Sequence, residues 1–171
     1  MAFPTDGLYQ LRYFCVPKDD SVTGVVATVL QDLNKPIALA SDIYVLFDKQ
    51  TWEFRRLDAD HGKANIIYAP PKGREGSEAT GSIGIGTLGF NCTSQEPGTP
   101  VELGLLSEFF VQDAGVPDVY FIRPTGDMVG LDYYVGVSDN GTLEVKGYPI
   151  GPDATSGPRP AWRFDPILHP K

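Results

Sequence analysis

The stretch GLYQLRY, residues 7–13, opens a pattern that recurs twice more along the chain. In each copy a short apolar segment carries an aliphatic residue, and an aromatic residue follows 42 or 43 positions later. The three pairs are Leu11 with Phe54, Ile66 with Phe109, and Ile122 with Phe164. A repeat of tens of residues indicates one supersecondary unit used several times, none of which buries its apolar face alone. We therefore predict an all-β fold, the β-trefoil, with three pseudo-equivalent four-stranded repeats that form a six-stranded barrel with a hairpin cap.

The chain is long enough for one domain and shows no linker. Its 171 residues suffice to bury a core without metal or disulfide support. Glycine and proline are spread along the sequence, as expected where tight turns join many short strands. The apolar runs are short and rich in β-branched and aromatic residues, among them IYVLF at 43–47, which favours strands. We predict a single domain over 1–171, with repeats at approximately 7–62, 63–116 and 117–171.

The charge balance argues against anionic partners. Lys and Arg number 14 against 22 Asp and Glu, and the net charge of −8 repels phosphate backbones and anionic lipid surfaces. We expect neither a nucleic acid nor a membrane partner. The N-terminal residues 1–10 lack the basic start and apolar stretch of a secretory signal, so we expect a cytoplasmic protein. In a reducing compartment Cys15 and Cys92 are expected to be free, mostly buried thiols.

The residue types that enzymes use are scarce. The chain has two histidines, His61 in a turn between repeats and His169 near the C-terminus, and both positions suit solvated side chains. No histidine or cysteine lies at a metal-ligand spacing from another. The glycines of GSIGIGTLG, residues 81–89, lack the following helix that a phosphate cradle needs. The sequence predicts no enzyme, no metal and no cofactor, which leaves surface loops on a rigid scaffold to carry the function.

Four segments resemble one known family. PDVYFIRPTGDMVGLDYYVG at 117–136 and SGPRPAWRF at 156–164 are similar to stretches of the mycocypin (clitocypin-like) family of fungal β-trefoil protease inhibitors. DGLYQLR at 6–12 resembles the first strand of that family, and TGVVATV at 23–29 resembles its glycine-containing loop and second strand. The likeness covers both ends and the third repeat well and the middle repeat poorly. It implies an inhibitor of papain-like cysteine proteases that fills the active-site cleft with loops of the first repeat.

The resemblance also implies where the protease would bind. One loop would run from about 18 to 25 with Gly24 at its tip, and the other from about 40 to 48. The candidate contact residues are Val22, Thr23, Gly24, Val25, Ile43, Tyr44 and Phe47. Glycine lets the backbone approach a catalytic thiol closely, while the apolar and aromatic side chains are of the types enriched at binding hot spots. Ordinary strand core is the alternative for Ile43, Tyr44, Val45 and Phe47.

A loop of the second repeat departs from the family pattern. In some members this loop inhibits the asparagine-specific protease legumain through an asparagine, but residues 68–81 contain none, so legumain inhibition is not expected. Lys72, Gly73 and Arg74 follow Pro70 and Pro71 instead. A basic side chain on a stiff loop suits the anionic primary pocket of trypsin-like serine proteases, which makes these enzymes a second candidate partner.

Two other classes of protein compete with the inhibitor. Gln50-Thr51-Trp52 matches the Gln-x-Trp signature of ricin B-like β-trefoil lectins, although no second copy follows, and a pocket pairing an Asp with a stacking aromatic is not evident from the sequence. A storage or defence protein without a dedicated pocket is the third class, because the fold alone does not determine function.

Overall fold

The computed structural model describes residues 3–16, 24–58, 60–70, 87–126, 130–150 and 158–167. Within these ranges the chain forms twelve strands and one short 3₁₀ helix at Tyr44–Lys49. The first six strands are β1 (Gly7–Val16), β2 (Val25–Thr28), β3 (Ala38–Ser41), β4 (Trp52–Asp58), β5 (Lys63–Tyr68) and β6 (Leu88–Asn91). The others are β7 (Glu102–Leu105), β8 (Phe109–Asp113), β9 (Val119–Pro124), β10 (Leu131–Val137), β11 (Leu143–Pro149) and β12 (Arg159–Pro166).

Six of the strands close a barrel. The antiparallel pairs run β1–β4, β4–β5, β5–β8, β8–β9, β9–β12 and back to β1 through β12–β1. The β1–β12 pair extends from Tyr9 opposite Pro166 to Val16 opposite Arg159, so the first and last strands lie side by side. A closed barrel leaves no edge strand open to pairing with another chain. The predicted β-trefoil class is confirmed.

The other six strands form three hairpins that cap the barrel. Backbone hydrogen bonds join them in a ring: Ile37 N–H donates to Val101 O (3.0 Å), Val101 N–H to Leu143 O (2.9 Å), and Leu143 N–H to Ile37 O (2.7 Å). All three residues are buried. Three further bonds are related in the same threefold way, from Leu39 N–H to Gly141 O, from Val145 N–H to Thr99 O and from Leu103 N–H to Lys35 O. The cap therefore has the threefold order that the sequence repeat predicts.

The strand register changes which residue of the second repeat is equivalent to Phe54 and Phe164. The core pairs across barrel strands are Leu11–Phe164, Ile66–Phe54 and Ile122–Val111. Val111, rather than Phe109, is thus the equivalent of Phe54 and Phe164. Phe109 lies opposite Ala64, at the position that tryptophan holds in the other two repeats, and packs on Phe90 with ring centroids 6.1 Å apart. All of these side chains are buried, so apolarity was predicted correctly and register was not.

The run IYVLF is not a strand. Residues 44–49 form the 3₁₀ helix between β3 and β4, although their β-branched and aromatic types favour a strand. Strand β3 lies at the end of its sheet and stops at Ser41, so no neighbour is present to continue the ladder through these residues. Tertiary position overrides local propensity here.

Smaller features of the fold concern the two cysteines, Gly89, metal ligands and membrane spans. Cys15 and Cys92 form no disulfide, as predicted, but both are half-buried rather than buried. Gly89, on β6, allows close strand packing, because a Cβ there would collide with the Ile66 carbonyl. In the part of the chain that the structure describes, no group of three potential ligands is placed to hold a metal ion. None of the helices described there has the length and apolar character to cross a bilayer.

Candidate functional site

The two loops predicted to bind a protease meet in the fold. Strand β2 begins one residue after Gly24, and Val25 pairs with Ser41 at the end of β3. The Asp42 N–H then donates to the Gly24 carbonyl at 3.2 Å. The two segments therefore lie at the same end of one hairpin. Residues 17–23, which include Val22 and Thr23, lie outside the described residues.

The backbone conformation at position 24, rather than a lack of space for a side chain, explains why glycine is favoured there. Its φ of 78° lies in the left-handed region, which favours glycine, and the residue is exposed. A Cβ built on it would have no atom of the described residues within 4 Å. No described residue therefore blocks the approach of a partner to the main chain at Gly24.

Three consecutive apolar residues project from the second loop. The exposed fractions of Ile43, Tyr44 and Val45 are 46%, 85% and 80%. The alternative that these residues are strand core does not hold, whereas Phe47 is half-buried. We call Ile43–Val45 the apolar apex. Contiguous exposed apolar groups, with an aromatic among them, are typical of an interaction surface.

The residues that follow the 3₁₀ helix fix it to the hairpin. The Gln50 side chain is fully buried, and its Nε2 donates to Ser41 O (2.8 Å) and Thr28 Oγ1 (3.2 Å). Thr51 Oγ1 donates to Phe47 O at 2.9 Å. The Trp52 indole, also fully buried, donates to a β2 carbonyl, that of Ala27, at 3.0 Å. The Gln-x-Trp motif therefore holds the base of the apolar apex in place.

A charged cluster holds the other end of the apex. Arg12 on β1 donates through Nη2 to Asp42 Oδ2 and through Nε to Asp165 Oδ2, both at 2.8 Å. Gln10 Nε2 donates to Asp42 Oδ1 at 3.1 Å. The hydrogen bond from Arg12 lowers the pKa of Asp42 below its usual range, so this carboxylate stays ionised at neutral pH. We call Arg12, Asp42 and Asp165 the clamp.

The clamp is the part of the site that sequence reasoning missed. Arg12 is 30 residues from Asp42 and 153 from Asp165, and no local motif signals such pairs. Only the alternation of β1, which turns Leu11 inward and Arg12 outward, hints at an arginine on the barrel exterior. By contrast, His61 is exposed and contacts Asp58 with Nδ1 2.6 Å from Oδ2. His169 lies outside the described residues.

The geometry defines a class of protein: a β-trefoil that presents a braced pair of loops with an apolar apex, which is the form of a protein-binding module. Comparison with known sequences gives the particular family. The family described as "Peptidase inhibitor clitocypin" matches residues 7–164. The chain therefore belongs to the clitocypin family of peptidase inhibitors. The members of such a family are inhibitors rather than enzymes, in agreement with the sequence prediction.

Similar proteins of known name support the same family. Clitocypin-2 of Clitocybe nebularis is 32% identical over 168 residues, covering 96% of this chain and 98% of that protein. Clitocypin of the same organism is 30% identical over 163 residues, covering 93% and 96%. The resemblance seen in the sequence is confirmed.

Two solved structures share the fold at low sequence identity. A designed threefold symmetric protein, ThreeFoil, superimposes with a TM-score of 0.57 at 16% identity, over 95% of this chain and all of that one. A crystal form of the BEL β-trefoil gives a TM-score of 0.52 at 15% identity, over 97% of each chain. At such identities the likeness supports the fold alone.

Proposed function

We propose that this protein inhibits papain-like cysteine proteases by occluding the active-site cleft with Gly24, Val25 and the apolar apex. The observation that carries the proposal is an exposed apolar surface on a support that is already ordered. The apex is held by Gln50 on one side and by the clamp on the other. Since these contacts exist before binding, less conformational freedom is lost when the partner docks.

The two loops contribute different chemistry to such a complex. Gly24 offers a main chain without a side chain, which fits the narrow part of a cleft beside a catalytic thiol. Tyr44 and Val45 offer apolar area for the adjoining subsites, and tyrosine is among the residues enriched at hot spots. No scissile bond needs to be presented in attack geometry, so the mode is occlusion rather than substrate mimicry.

The test is the inhibition constant of the purified chain for papain. Gly24→Trp places a bulky side chain at the cleft and is expected to weaken inhibition by about 30-fold or more. Gly24→Asn is the matched control for backbone strain, because asparagine tolerates positive φ and is small. We expect Gly24→Asn to retain most of the inhibition. Full inhibition by Gly24→Trp would show that the contact with the protease lies outside this loop.

A second variant tests the apolar apex. Tyr44→Ala removes a side chain that is 85% exposed, and we expect inhibition of papain to weaken by about tenfold. Leu105→Ala is its control, because Leu105 is 60% exposed on β7 in the second repeat. Equal effects of the two substitutions would contradict a specific role for the apex.

Inhibition of trypsin-like serine proteases is a second activity that we propose from the sequence. It depends on Lys72, Gly73 and Arg74, which lie outside the described residues. These residues lie in the connection between β5, which ends at Tyr68, and β6, whereas the apolar apex lies in the first repeat. Lys72→Ala combined with Arg74→Ala should abolish trypsin inhibition and leave papain inhibition unchanged. Loss of both activities together would argue for a single shared site.

A further inference from the structure

A groove on the third repeat lies apart from the two protease-binding loops. It has a volume of about 370 Å³ and lies between the outer faces of β8 and β9 and the start of β10. Its lining includes Phe110, Gln112, Arg123, Asp132, Tyr133 and Ile150. Ligand sites have volumes of roughly 300–1,000 Å³, so this groove suits a small molecule rather than a protein segment.

Arg123 organises the polar side of the groove. Its Nε donates to Tyr133 O (3.0 Å), its Nη1 to Gln112 Oε1 (3.1 Å) and its Nη2 to Asp132 Oδ1 (2.9 Å). The guanidinium also lies 5.0 Å from the centroid of the Tyr134 ring. These contacts hold the amide and the carboxylate in fixed orientations on either side of one cation.

The bonds to Arg123 leave one donor and one acceptor for a ligand. Because Gln112 accepts through Oε1, its Nε2 is free to donate, and Asp132 Oδ2 is free to accept; neither atom bonds to another described residue. Tyr133 also contributes to the lining, and its carbonyl already accepts from Arg123 Nε.

The rest of the lining combines one polar side chain, that of His61, with apolar ones. Phe110 supplies a half-buried aromatic ring, and Ile150, which is 56% exposed, lies at its margin. Small-molecule sites typically combine such apolar surface with a few fixed polar groups. The groove thus pairs an aspartate with an aromatic side chain, a combination that is not evident from the sequence because the two residues come from different strands.

The geometry points to a carbohydrate-binding site that takes a neutral pyranose. Each hydroxyl of a sugar both donates and accepts, which matches an amide donor and a carboxylate acceptor held by the same arginine. The apolar face of the sugar ring can lie against Phe110. Arg123 and Asp132 neutralise each other, and a protein of net charge −8 disfavours anionic ligands, so an uncharged ligand fits best.

The site is specific to the third repeat. Arg12 holds the equivalent position in the first repeat, but there both of its carboxylate partners serve the clamp. Ile67 holds it in the second repeat, where no guanidinium is available. One such groove among the described parts of the three repeats predicts binding without the avidity of a multivalent lectin.

The test is a nuclear magnetic resonance titration of the full chain with methyl glycosides of glucose, galactose, mannose and N-acetylglucosamine. We expect at least one of them to cause saturable shifts of the backbone amides of Gln112, Arg123 and Asp132. Inorganic phosphate is the anionic probe and should leave these signals unchanged. Saturable shifts with phosphate instead would make this an anion site and overturn the proposal.

Two variants and a control locate the binding. Gln112→Leu and Phe110→Leu should each weaken the binding of the glycoside by about tenfold or more and leave papain inhibition unchanged. Phe121→Leu is the matched control, because Phe121 lies on β9 outside the groove lining, and it should bind as the natural chain does. The absence of saturable shifts with all four glycosides, or unchanged affinity in both groove variants, would refute the site. Neither result bears on protease inhibition.

Discussion

The first and third repeats place an arginine at the same barrel position and use it differently. Arg12 and Arg123 each come one residue after the buried aliphatic residue of their repeat, so both point away from the core. Arg12 reaches Asp42 and braces an exposed apolar apex, whereas Arg123 reaches Asp132 at the side of a groove. The comparison shows that one scaffold position can support two different surfaces, and that the connecting segments determine which carboxylate the arginine contacts.

The largest expected effect concerns a feature that the two repeats share. Trp52→Ala and Trp162→Ala should each lower the free energy of unfolding by about 3–5 kcal/mol, because each removes a fully buried indole. Trp52 Nε1 also donates to Ala27 O, and Trp162 Nε1 donates to Val135 O, each at 3.0 Å. Both carbonyls belong to hairpins of the cap. Urea denaturation provides the measurement. A loss below about 1 kcal/mol in either repeat would show that the scaffold is not equivalent there.

The next effect separates the two arginines. Arg12→Met keeps much of the side-chain volume but removes the clamp, and it should weaken papain inhibition by about tenfold. Arg123→Met is its counterpart in the third repeat and should leave papain inhibition unchanged. The measurement is the inhibition constant of each variant for papain. Thermal unfolding confirms that both variants are folded. Equal losses would mean that both substitutions act through general destabilisation.

The clamp also predicts a dependence of stability on pH. The Arg12 hydrogen bond lowers the pKa of Asp42 below its usual value of 3.8. The stabilisation is therefore complete above about pH 4 and is lost as the pH falls through the lower pKa of the folded state. Because 38% of the Asp42 side chain is exposed, the contribution is about 0.5 kcal/mol or less. The free energies of unfolding of the natural chain and of Asp42→Asn, measured with urea, should differ at neutral pH and converge as the pH falls below the folded-state pKa of Asp42. A difference that stays constant with pH would contradict this account.

The smallest effect concerns the apolar apex. Tyr44→Ala should change the free energy of unfolding by less than about 0.5 kcal/mol, because the side chain is 85% exposed. Tyr133→Ala in the third repeat is the comparison, and it should cost more because that tyrosine is buried. Urea denaturation measures both free energies of unfolding. Equal losses in the two variants would mean that Tyr44 stabilises the fold, which would contradict a role in binding alone.

The sequence predicted the architecture because the repeat records it directly. Residues at equivalent positions face the same environment three times, so Leu11, Ile66 and Ile122 recur at nearly equal spacing and are all buried. The register of the second repeat was not predictable in this way. There Phe109 takes the tryptophan position and Val111 the phenylalanine position, and a nearby aromatic residue shifts the apparent alignment by two.

The candidate site was predictable only in part. A resemblance to known inhibitors indicated the segments around Gly24 and Tyr44, but not what holds them. The hydrogen bonds that support the apex join Arg12, Asp42 and Asp165 across the barrel, and such pairs leave no trace in local composition. The 3₁₀ helix was missed for the same reason, since its form depends on where β3 ends rather than on its own residues.

The ring that ties Ile37, Val101 and Leu143 together is built from main-chain atoms alone. Every amino acid except proline carries the backbone N–H and C=O groups that this ring needs. The ring of hydrogen bonds therefore tolerates almost any exchange of side chains. Such a ring is therefore compatible with the low identity of 32% that this chain shares with Clitocypin-2. It also leaves the outer segments free to diverge and acquire new targets without endangering the closure of the molecule.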